Sequence, residues 1–374
     1  MVFAAFLVSV FTSLKARNAL WTYLMLLASF TAMFCVMNVA KVVEGDWLWY
    51  TEHYALFRDM ALYDYLNSRI ENITIKPNEP VYYAIANATF HLSSGSIPAL
   101  ASVVTITDYG AIGAAIWLIG RSTFASSKQP VNPHILIACC LIAVTFTLVT
   151  QLVRQEMAAC FSLLGFAFML RRRYLIGGLV AIIAVATHQS AILGVFILYA
   201  PVLALHQRRS TAFARIPLAL AFGLVALGLG YVVSRSSIAD LGSKDDGAVS
   251  TALILFDVAL GLALGAATIL TRDRSGLGKY VLLSFALFYL AFLPMMTVPL
   301  AALRLYFYMD LLRGLAVLLL FSSLVPARTP NIIRVLIGSA VSVGAVAYLH
   351  LRVERSPFTF RAPVTSYIFY PAEL

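Results

Sequence analysis

Two pairs of polar residues interrupt a long apolar stretch of the chain between Val144 and Ser190. Arg154 and Gln155 separate two hydrophobic runs, and His188 and Ser190 lie within a third. Polar side chains in strongly apolar sequence are costly and mark functional sites in many membrane proteins. A guanidinium suits a phosphate or diphosphate group, and an imidazole takes up protons near neutral pH. The stretch therefore predicts anion binding and proton transfer.

Arg154 forms an i, i+3, i+4 set with Gln151 and Gln155. This spacing predicts that the three side chains project from one face of a helix end. The competing interpretation is an arginine that extends to lipid headgroups or pairs with Glu156.

The segment from Asp46 to Leu66 predicts an amphipathic helix on the outer membrane surface. Its apolar face follows three- and four-residue spacing and consists of Trp47, Tyr50, Tyr54, Phe57, Ala61 and Tyr65. Asp46, Tyr50 and His53 recur at one-turn intervals and can share a side of this helix. Either the segment is an interfacial aromatic belt with solvated charges, or its rings pack on sugar faces while Asp46 and His53 handle protons.

A second helix of the same segment is predicted to begin at Pro80, a residue that suits the first helical position. Glu79 stands just before it, where the positive end of the helix dipole favours a carboxylate. Capping would explain this residue, and a role in proton transfer is the alternative.

The composition places these residues in a membrane protein. Of 374 residues, 61% are hydrophobic and 12% are charged, whereas about a quarter of residues are charged in soluble domains. The net charge of +10 comes from small basic clusters between apolar runs, which is typical of topology signals and not of nucleic-acid binding. The four cysteines show no ligand spacing, and nothing resembles a P-loop, a dinucleotide fingerprint or an HExxH motif, so neither a metal nor another cofactor is expected.

The expected fold is one all-α, polytopic integral membrane domain covering residues 1–374, with an outer-face segment at residues 41–96. Helices that cross a bilayer need about 20 apolar residues. The candidate spans are Ala19–Asn38, Ile97–Ile119, Ile135–Thr150, Ile216–Val233, Ala252–Leu270, Tyr280–Val298, Tyr308–Val325 and Ile332–His350, with shorter runs at Val2–Leu14 and Glu156–Leu170.

Basic connectors define the cytoplasmic side under the positive-inside rule. Two of them, Arg171–Arg173 and Arg208–Arg215, flank a single apolar run, Tyr174–Leu205, which must therefore leave the cytoplasmic side and return. The turning point falls near His188, at or just below the outer face. This scheme predicts about twelve spanning or half-spanning helices, with both termini outside.

The same scheme places Arg304 in the last outer link, Pro299–Phe307, with Tyr308 one turn later. An arginine on the outer side runs against the positive-inside rule, as it does at Arg154, so both are expected to bind an anion.

Four further charged residues lie within predicted spans, namely Asp108, Asp257, Asp310 and Arg313. The i, i+3 spacing of Asp310 and Arg313 predicts that they neutralise each other. Asp108 and Asp257 are either hydrogen-bonded structural groups or residues of a transport pathway.

Taken in order, these features resemble the EpsG family of bacterial exopolysaccharide proteins, a branch of the Wzy-type polymerases. The resemblance runs from Asp46 to Tyr308 and is carried by Gly45-Asp46 before aromatics, Asn78-Glu79-Pro80, Arg154-Gln155 before Ala158 and Ala159, the triplet Arg171 to Arg173, His188 with Ser190, and Arg304 before Tyr306 and Phe307. Two positions depart from the family pattern: Trp47 replaces a tyrosine, and Gln189 separates His188 from Ser190.

The resemblance implies a glycosyltransferase-C-like enzyme at the outer face of the bacterial inner membrane. Such a protein moves a growing glycan from one undecaprenyl diphosphate carrier to a sugar hydroxyl on another carrier-linked repeat unit. Its implied partners are these two lipid-linked oligosaccharides, the bilayer and a chain-length-regulating membrane protein. His188 would be the base, with Asp46 and Glu79 as alternatives, and Arg154 and Arg304 would bind the diphosphate. The other expected substrate contacts are Gln155, Tyr308, His53, Ser190, Trp47 and Tyr50.

Two other functions remain open at this point. Glu44 and Asp46 place two acids in the first outer segment, as in transferases that use polyprenyl-phosphate monosaccharides. A flippase or transporter for lipid-linked sugars is the third hypothesis. A transporter should carry charged residues along a path through the bilayer, whereas the unusual polar groups here gather at the predicted outer side.

Overall fold

The computed structural model describes residues 2–14, 19–67, 79–205, 212–235, 249–270, 277–356 and 359–369, and within these ranges the regular structure is helical. In chain order the helices are α1 (Val2–Leu14), α2 (Ala19–Val39), α3 (Asp46–Ala55), α4 (Leu62–Asn67), α5 (Pro80–Ser93), α6 (Ile97–Ser126), α7 (Pro133–Ala143), α8 (Phe146–Gln151), α9 (Val153–Leu170), α10 (Tyr174–Thr187), α11 (Ala191–Leu205), α12 (Ala212–Arg235), α13 (Thr251–Leu270), α14 (Leu277–Met295), α15 (Pro299–Leu324), α16 (Asn331–Glu354) and α17 (Val364–Phe369). A 3-10 turn at Leu56–Arg58 joins α3 to the loop before α4.

Seven of the described helices are long and apolar enough to cross a membrane, namely α2, α6, α9, α13, α14, α15 and α16. Five shorter apolar segments accompany them: Val2–Ser13, Pro133–Ala143, Tyr174–Thr187, Ala191–Leu205 and Leu220–Val232. The prediction of an all-helical, multi-pass membrane protein is thus confirmed. The basic residues Lys15, Arg17, Arg208, Arg209, Arg272 and Arg274, together with Asn78 and most of the 234–250 loop, lie outside the described residues.

The predicted span Ile135–Thr150 is wrong in one respect, because two breaks divide this part of the chain. Val144 and Thr145 adopt extended backbone between α7 and α8. Leu152 has non-helical backbone and separates α8 from α9. At the first break, the hydroxyl of Thr145 donates to the carboxylate of Asp310. Arg154 and Gln155 therefore lie in the first turn of a new helix.

The predicted outer link before Tyr308 is also wrong. Helix α15 begins at Pro299, which occupies a first-turn position where its missing N–H costs no hydrogen bond. Arg304 consequently lies in the second turn of a long helix and not in a flexible connector.

The turn predicted near His188 is present. Helix α10 ends at Thr187, His188 has extended backbone, and α11 begins at Ala191. Both helices pack against α9. At the other end of α10, the triplet Arg171 to Arg173 forms a tight turn from α9, with Arg172 at a positive φ of 62°.

Helix α9 is the centre of the bundle and also contacts α6 and α15. It approaches α10 through two glycines: a Cβ atom at Gly165 would lie 3.1 Å from the carbonyl oxygen of Gly177, and one at Gly177 would lie 3.0 Å from that of Gly165. Small residues permit such close backbone contact between membrane helices. The beginnings of α5, α9 and α11 and the second turn of α15 meet at one end of the bundle, here called the loop end.

The segment from Asp46 to Leu66 is not one helix but α3, the 3-10 turn and α4. Its predicted apolar face is buried at Trp47, Tyr50, Tyr54, Phe57 and Tyr65, while Ala61 is exposed beside the break. These rings pack against α5 and against one another. The face therefore anchors the segment to the protein.

Candidate active site

Arg154 lies at the centre of a polar cluster at the loop end. Its Nη1 atom is 2.7 Å from Oε2 of Glu79, and the two side chains are 12% and 2% exposed. The guanidinium also donates from Nε to Tyr50 Oη over 3.3 Å and from Nη1 to Tyr83 Oη over 3.1 Å. The ring of Trp49 lies beneath it, with its centroid 5.0 Å from Cζ. Glu156, the alternative partner that the sequence suggests for Arg154, is buried in α9.

Glu79 occupies the N-cap position of α5, but its side chain makes no capping hydrogen bond. Its carboxylate instead faces Arg154, and Oε1 accepts the main-chain N–H of Gln189 over 3.4 Å. The same oxygen lies 3.7 Å from Nε2 of His188. Burial raises the pKa of Glu79, although the charge of Arg154 opposes that rise. Capping is thus excluded as the reason for this residue.

His188 is held by its own turn and by α15. Its Nδ1 atom accepts the main-chain N–H of Ser190 over 3.1 Å and lies 2.7 Å from Ser190 Oγ. Ser190 Oγ is in turn 3.0 Å from Tyr308 Oη. Because Nδ1 accepts a hydrogen bond, the proton of the neutral ring lies on Nε2, towards Glu79. Burial, with smaller effects of the Arg154 and Arg304 charges, lowers the pKa of His188 to about 3.

Tyr308 fits against α11 because residue 194 is glycine. A Cβ atom at Gly194 would lie 2.3 Å from Cε1 of the Tyr308 ring. The tyrosine is 3% exposed, so its hydroxyl is fixed beside Ser190.

Arg304 is the exposed cation of the site. Among the described residues, its guanidinium has no hydrogen bond and no ion pair, while its main-chain oxygen accepts a hydrogen bond from Gln155 Nε2 over 2.5 Å. Its charge acts to lower the pKa values of Asp46, Glu79 and His188, which places it beside all three. Two arginines, the largely buried Arg154 and the exposed Arg304, thus lie beside the same acids and histidine.

Asp46 begins α3 after Gly45, which adopts a positive φ of 58°. Loss of hydration raises the pKa of Asp46, and the charges of Arg304 and Arg154 oppose the rise. The carboxylate is exposed and lies next to the two arginines. Asp46 is therefore part of the cluster.

The three other candidates from α3 face the protein interior. Trp47 is 1% exposed and its ring lies under the Lys41 ammonium, with 3.4 Å between Nζ and the centroid. Tyr50 is 4% exposed and His53 is 2% exposed; His53 Nδ1 is hydrogen bonded to the hydroxyl of Tyr65. These contacts make the wall behind Arg154. Trp49 and Tyr83 also touch Arg154 directly. Trp49 lies off the apolar face predicted for the Asp46–Leu66 segment, and Tyr83 lies on α5, for which no face is predicted from the sequence.

Gln151, Arg154 and Gln155 do not share one face, contrary to the prediction. The break at Leu152 separates Gln151, whose Oε1 atom accepts the main-chain N–H of Trp47 over 3.4 Å. Arg154 points to Glu79, and Gln155 bonds to α15. The three side chains thus connect three different elements to the loop end.

A second charged cluster lies deeper in the bundle. Arg313 donates from Nε and Nη2 to the two oxygens of Asp257 over 2.6 and 2.7 Å, and it also bonds to Asp310. Tyr306 donates to Asp257. The predicted neutralisation of Asp310 by Arg313 is confirmed, and Asp257 is a structural ion-pair partner.

Asp108 differs from these paired acids. It is fully buried, and neither of its carboxyl oxygens has a hydrogen-bond partner among the residues that the structure describes.

Within the described ranges, no group of three or more His, Cys, Asp or Glu residues could hold a metal ion. A cavity of about 110 Å³ lies at the far end of α9, where its lining includes Ser122, Arg171 and Tyr280.

The comparisons with known proteins give one match. Neither a curated protein nor a solved structure matches the chain. The sequence model of the EpsG family matches residues 21–360, a range that includes every residue of the loop-end cluster. The chain therefore belongs to the EpsG family, a family of Wzy-like polysaccharide polymerases.

Proposed function

We propose that this protein is a membrane glycosyltransferase that joins undecaprenyl-diphosphate-linked oligosaccharide repeat units into an exopolysaccharide or O-antigen-type chain. The observation that carries the proposal is the convergence of Arg154, Glu79 and His188, beside the exposed Arg304, from four separate segments. Two cations beside a partly buried, neutral imidazole suit a reaction in which an anionic group leaves and a hydroxyl loses its proton.

Arg154 and Arg304 are the proposed diphosphate ligands. Arg304 is exposed and has no side-chain partner among the described residues, so it is available to an incoming anion. Arg154 is held in place by Tyr50 and Tyr83, and such fixed cations stabilise developing negative charge better than mobile ones. Trp47, Tyr50 and His53 are assigned to the wall that fixes Arg154, and Gln155 to the spacing between the arginines.

In the proposed reaction, the acceptor hydroxyl oxygen forms a bond to the anomeric carbon of the donor glycan. The bond between that carbon and the diphosphate oxygen breaks, and its electron pair leaves with undecaprenyl diphosphate. The acceptor proton passes through the Ser190 hydroxyl to Nδ1 of His188, because this is the nitrogen that carries the lone pair. Asp46 and Glu79 are the alternative bases. A diphosphate is a good leaving group, so the step needs no metal to activate it.

We place the loop end at the periplasmic face of the bacterial inner membrane, with both termini on that side and with a glycosyltransferase-C-like arrangement. The positive-inside rule supports this orientation, because Arg171 to Arg173 lie at the opposite end of α9 from Arg154. A chain-length-regulating membrane protein is the proposed protein partner.

The test replaces Arg154, His188 and Arg304 singly with alanine and measures glycan chain length in cells. Matched controls are Arg58→Ala and His91→Ala, which change exposed residues of α3–α5. The site variants should each reduce polymerisation by about 100-fold or more, while the controls keep normal chains. Normal chain length in all three site variants, with folded protein in the membrane, would overturn the site.

A second experiment separates the competing functions. Purified protein in liposomes receives only undecaprenyl-diphosphate-linked repeat units, and a parallel sample receives a polyprenyl-monophosphate sugar as the sole donor. Chain growth in the first sample alone supports the proposal. Growth only with the monophosphate donor identifies the other transferase class, and transbilayer movement without growth identifies a flippase.

A further inference from the structure

The carboxylate of Glu79 lies between Arg154 and His188 and is closer to Arg154. Its Oε2 atom is 2.7 Å from Arg154 Nη1, while its Oε1 atom is 3.7 Å from His188 Nε2. The first contact is a close ion pair, and the second distance is too long for a hydrogen bond. In the ligand-free protein the carboxylate of Glu79 therefore pairs with Arg154, and His188 is the next nearest described partner that can carry a positive charge.

The imidazole is arranged to receive the carboxylate. Ser190 holds Nδ1 from the opposite side through its N–H, so the Nε2–H bond points towards Glu79. Ser190 is itself held by Tyr308. A movement of the carboxylate by roughly 0.8 Å would bring Oε1 within hydrogen-bond distance of Nε2. No rotation of the histidine ring is needed.

A diphosphate bound at Arg154 would compete with Glu79 for the same guanidinium. Both are anions, and like charges in contact with one cation repel each other. The diphosphate carries more negative charge than the carboxylate and can also engage Arg304, so it is the stronger competitor.

We propose that Glu79 is a shared carboxylate, which pairs with Arg154 in the ligand-free protein and moves to the Nε2–H of His188 when a diphosphate group binds Arg154. This inference rests on the proposed function, because it takes the diphosphate as the ligand of Arg154. Glu79 is therefore a positioning residue. It raises the basicity of His188 only when the diphosphate of the donor is bound.

The charges around His188 determine how this movement changes the protonation of the imidazole. The groups that face the ring are Glu79 from the start of α5, Arg154 from α9, and Arg304 and Tyr308 from α15. The two arginines oppose protonation of the imidazole. A bound diphosphate offsets both cations, and the released carboxylate stabilises the imidazolium directly.

The test observes the Nε2–H proton signal of His188 by NMR at pH 7, where Glu79 is ionised, in full-length, histidine-labelled protein in nanodiscs. The chain has six histidines, and His188→Gln identifies the signal of residue 188. Inorganic diphosphate is the probe. In the wild type it should move this signal downfield, because Nε2–H then donates a charge-assisted hydrogen bond to the carboxylate, and in Glu79→Gln the movement should be clearly smaller. Glu52→Gln, an exposed neighbour on α3, should behave like the wild type.

A ligand-free arm tests the same movement independently. Arg154→Gln removes the competing cation, so the His188 Nε2–H signal should move downfield without diphosphate, and in the double variant Arg154→Gln/Glu79→Gln it should move less. The other histidine signals report whether each variant is folded.

The outcomes separate the two proposals. If diphosphate perturbs no signal of the wild type, the proposed diphosphate site fails and the inference fails with it. If diphosphate binds but the His188 Nε2–H signal stays in place, or moves equally in Glu79→Gln, the shared carboxylate is overturned while the proposed function stands.

Discussion

The side-chain amide of Gln155 donates a hydrogen bond to the main-chain carbonyl of Arg304 over 2.5 Å, and so joins the first turn of α9 to the second turn of α15. Because Arg154 is the neighbour of Gln155 in sequence, this contact sets the spacing between the two arginines. The spacing matters if both bind one diphosphate group.

Gln155→Ala should therefore weaken diphosphate binding by about tenfold, the effect of losing one well-formed hydrogen bond that positions a charged group. Isothermal titration with inorganic diphosphate measures the change. Asn87→Ala, which removes an amide from α5 two turns beyond Glu79, serves as the control. Unchanged affinity in Gln155→Ala would mean that the arginines are positioned by other contacts.

Gly194→Ala should slow the reaction without weakening donor binding. The new Cβ atom would lie 2.3 Å from Tyr308 Cε1, so the ring must move and its contact with Ser190 is lost. We expect kcat in proteoliposomes to fall by about 10- to 100-fold, while the Kd for diphosphate stays within about twofold. Gly178→Ala on α10 is the matched control, since its Cβ atom would meet nothing within 4 Å. A parallel loss of affinity in Gly194→Ala would point to a wider disturbance of α15.

Stability should depend on pH through His188. Its pKa is lowered to about 3 in the folded protein, against about 6.5 in an unfolded chain. Between these values the unfolded chain binds a proton that the folded protein does not, so stability falls as the pH falls from about 6.5 towards 3. On going from pH 7 to pH 4.5, the melting temperature of the wild type should drop further than that of His188→Gln. His91→Gln, which changes an exposed residue, should follow the wild type; parallel curves for all three proteins would contradict the lowered pKa.

The deep cluster around Arg313 should govern stability. Asp257→Asn leaves a buried guanidinium, 1% exposed, with one acid fewer, and breaking a buried pair in this way costs about 3–5 kcal/mol. Unfolding in mixed micelles measures the loss. The double variant Asp257→Leu/Arg313→Met should lose less than the sum of its single variants, because it leaves no unpaired partner on that side. Asp59→Asn, at an exposed position, should have little effect.

Much of the fold is determined by local sequence. The bounds of α1 and the turn at His188 were predictable, because an apolar run and the parity of basic clusters determine them. Arg154 and His188 stood out for the same reason, as polar groups within apolar sequence.

The partners of these residues were not predictable. Glu79 looked like a helix cap, and only the packing of α5 against α10 brings it to Arg154. No glycine or proline in the sequence marks the break at Leu152. Helical spacing therefore places Gln151 on the same face as Arg154, which is wrong. Trp49 was overlooked because helical periodicity assigns it to the solvent side, whereas a cation from another helix covers it.

Helix α15 carries both clusters on one rigid stretch. Arg304 and Tyr308 serve the loop end, while Tyr306, Asp310 and Arg313 serve the deep cluster. Each residue added to a helix rotates the remainder of that helix by about 100° and shifts it by about 1.5 Å. An insertion or deletion of a single residue between Arg304 and Arg313 would therefore detach one cluster or the other. Members of the family should vary in length within their connecting loops, but this ten-residue stretch should keep its length in all of them.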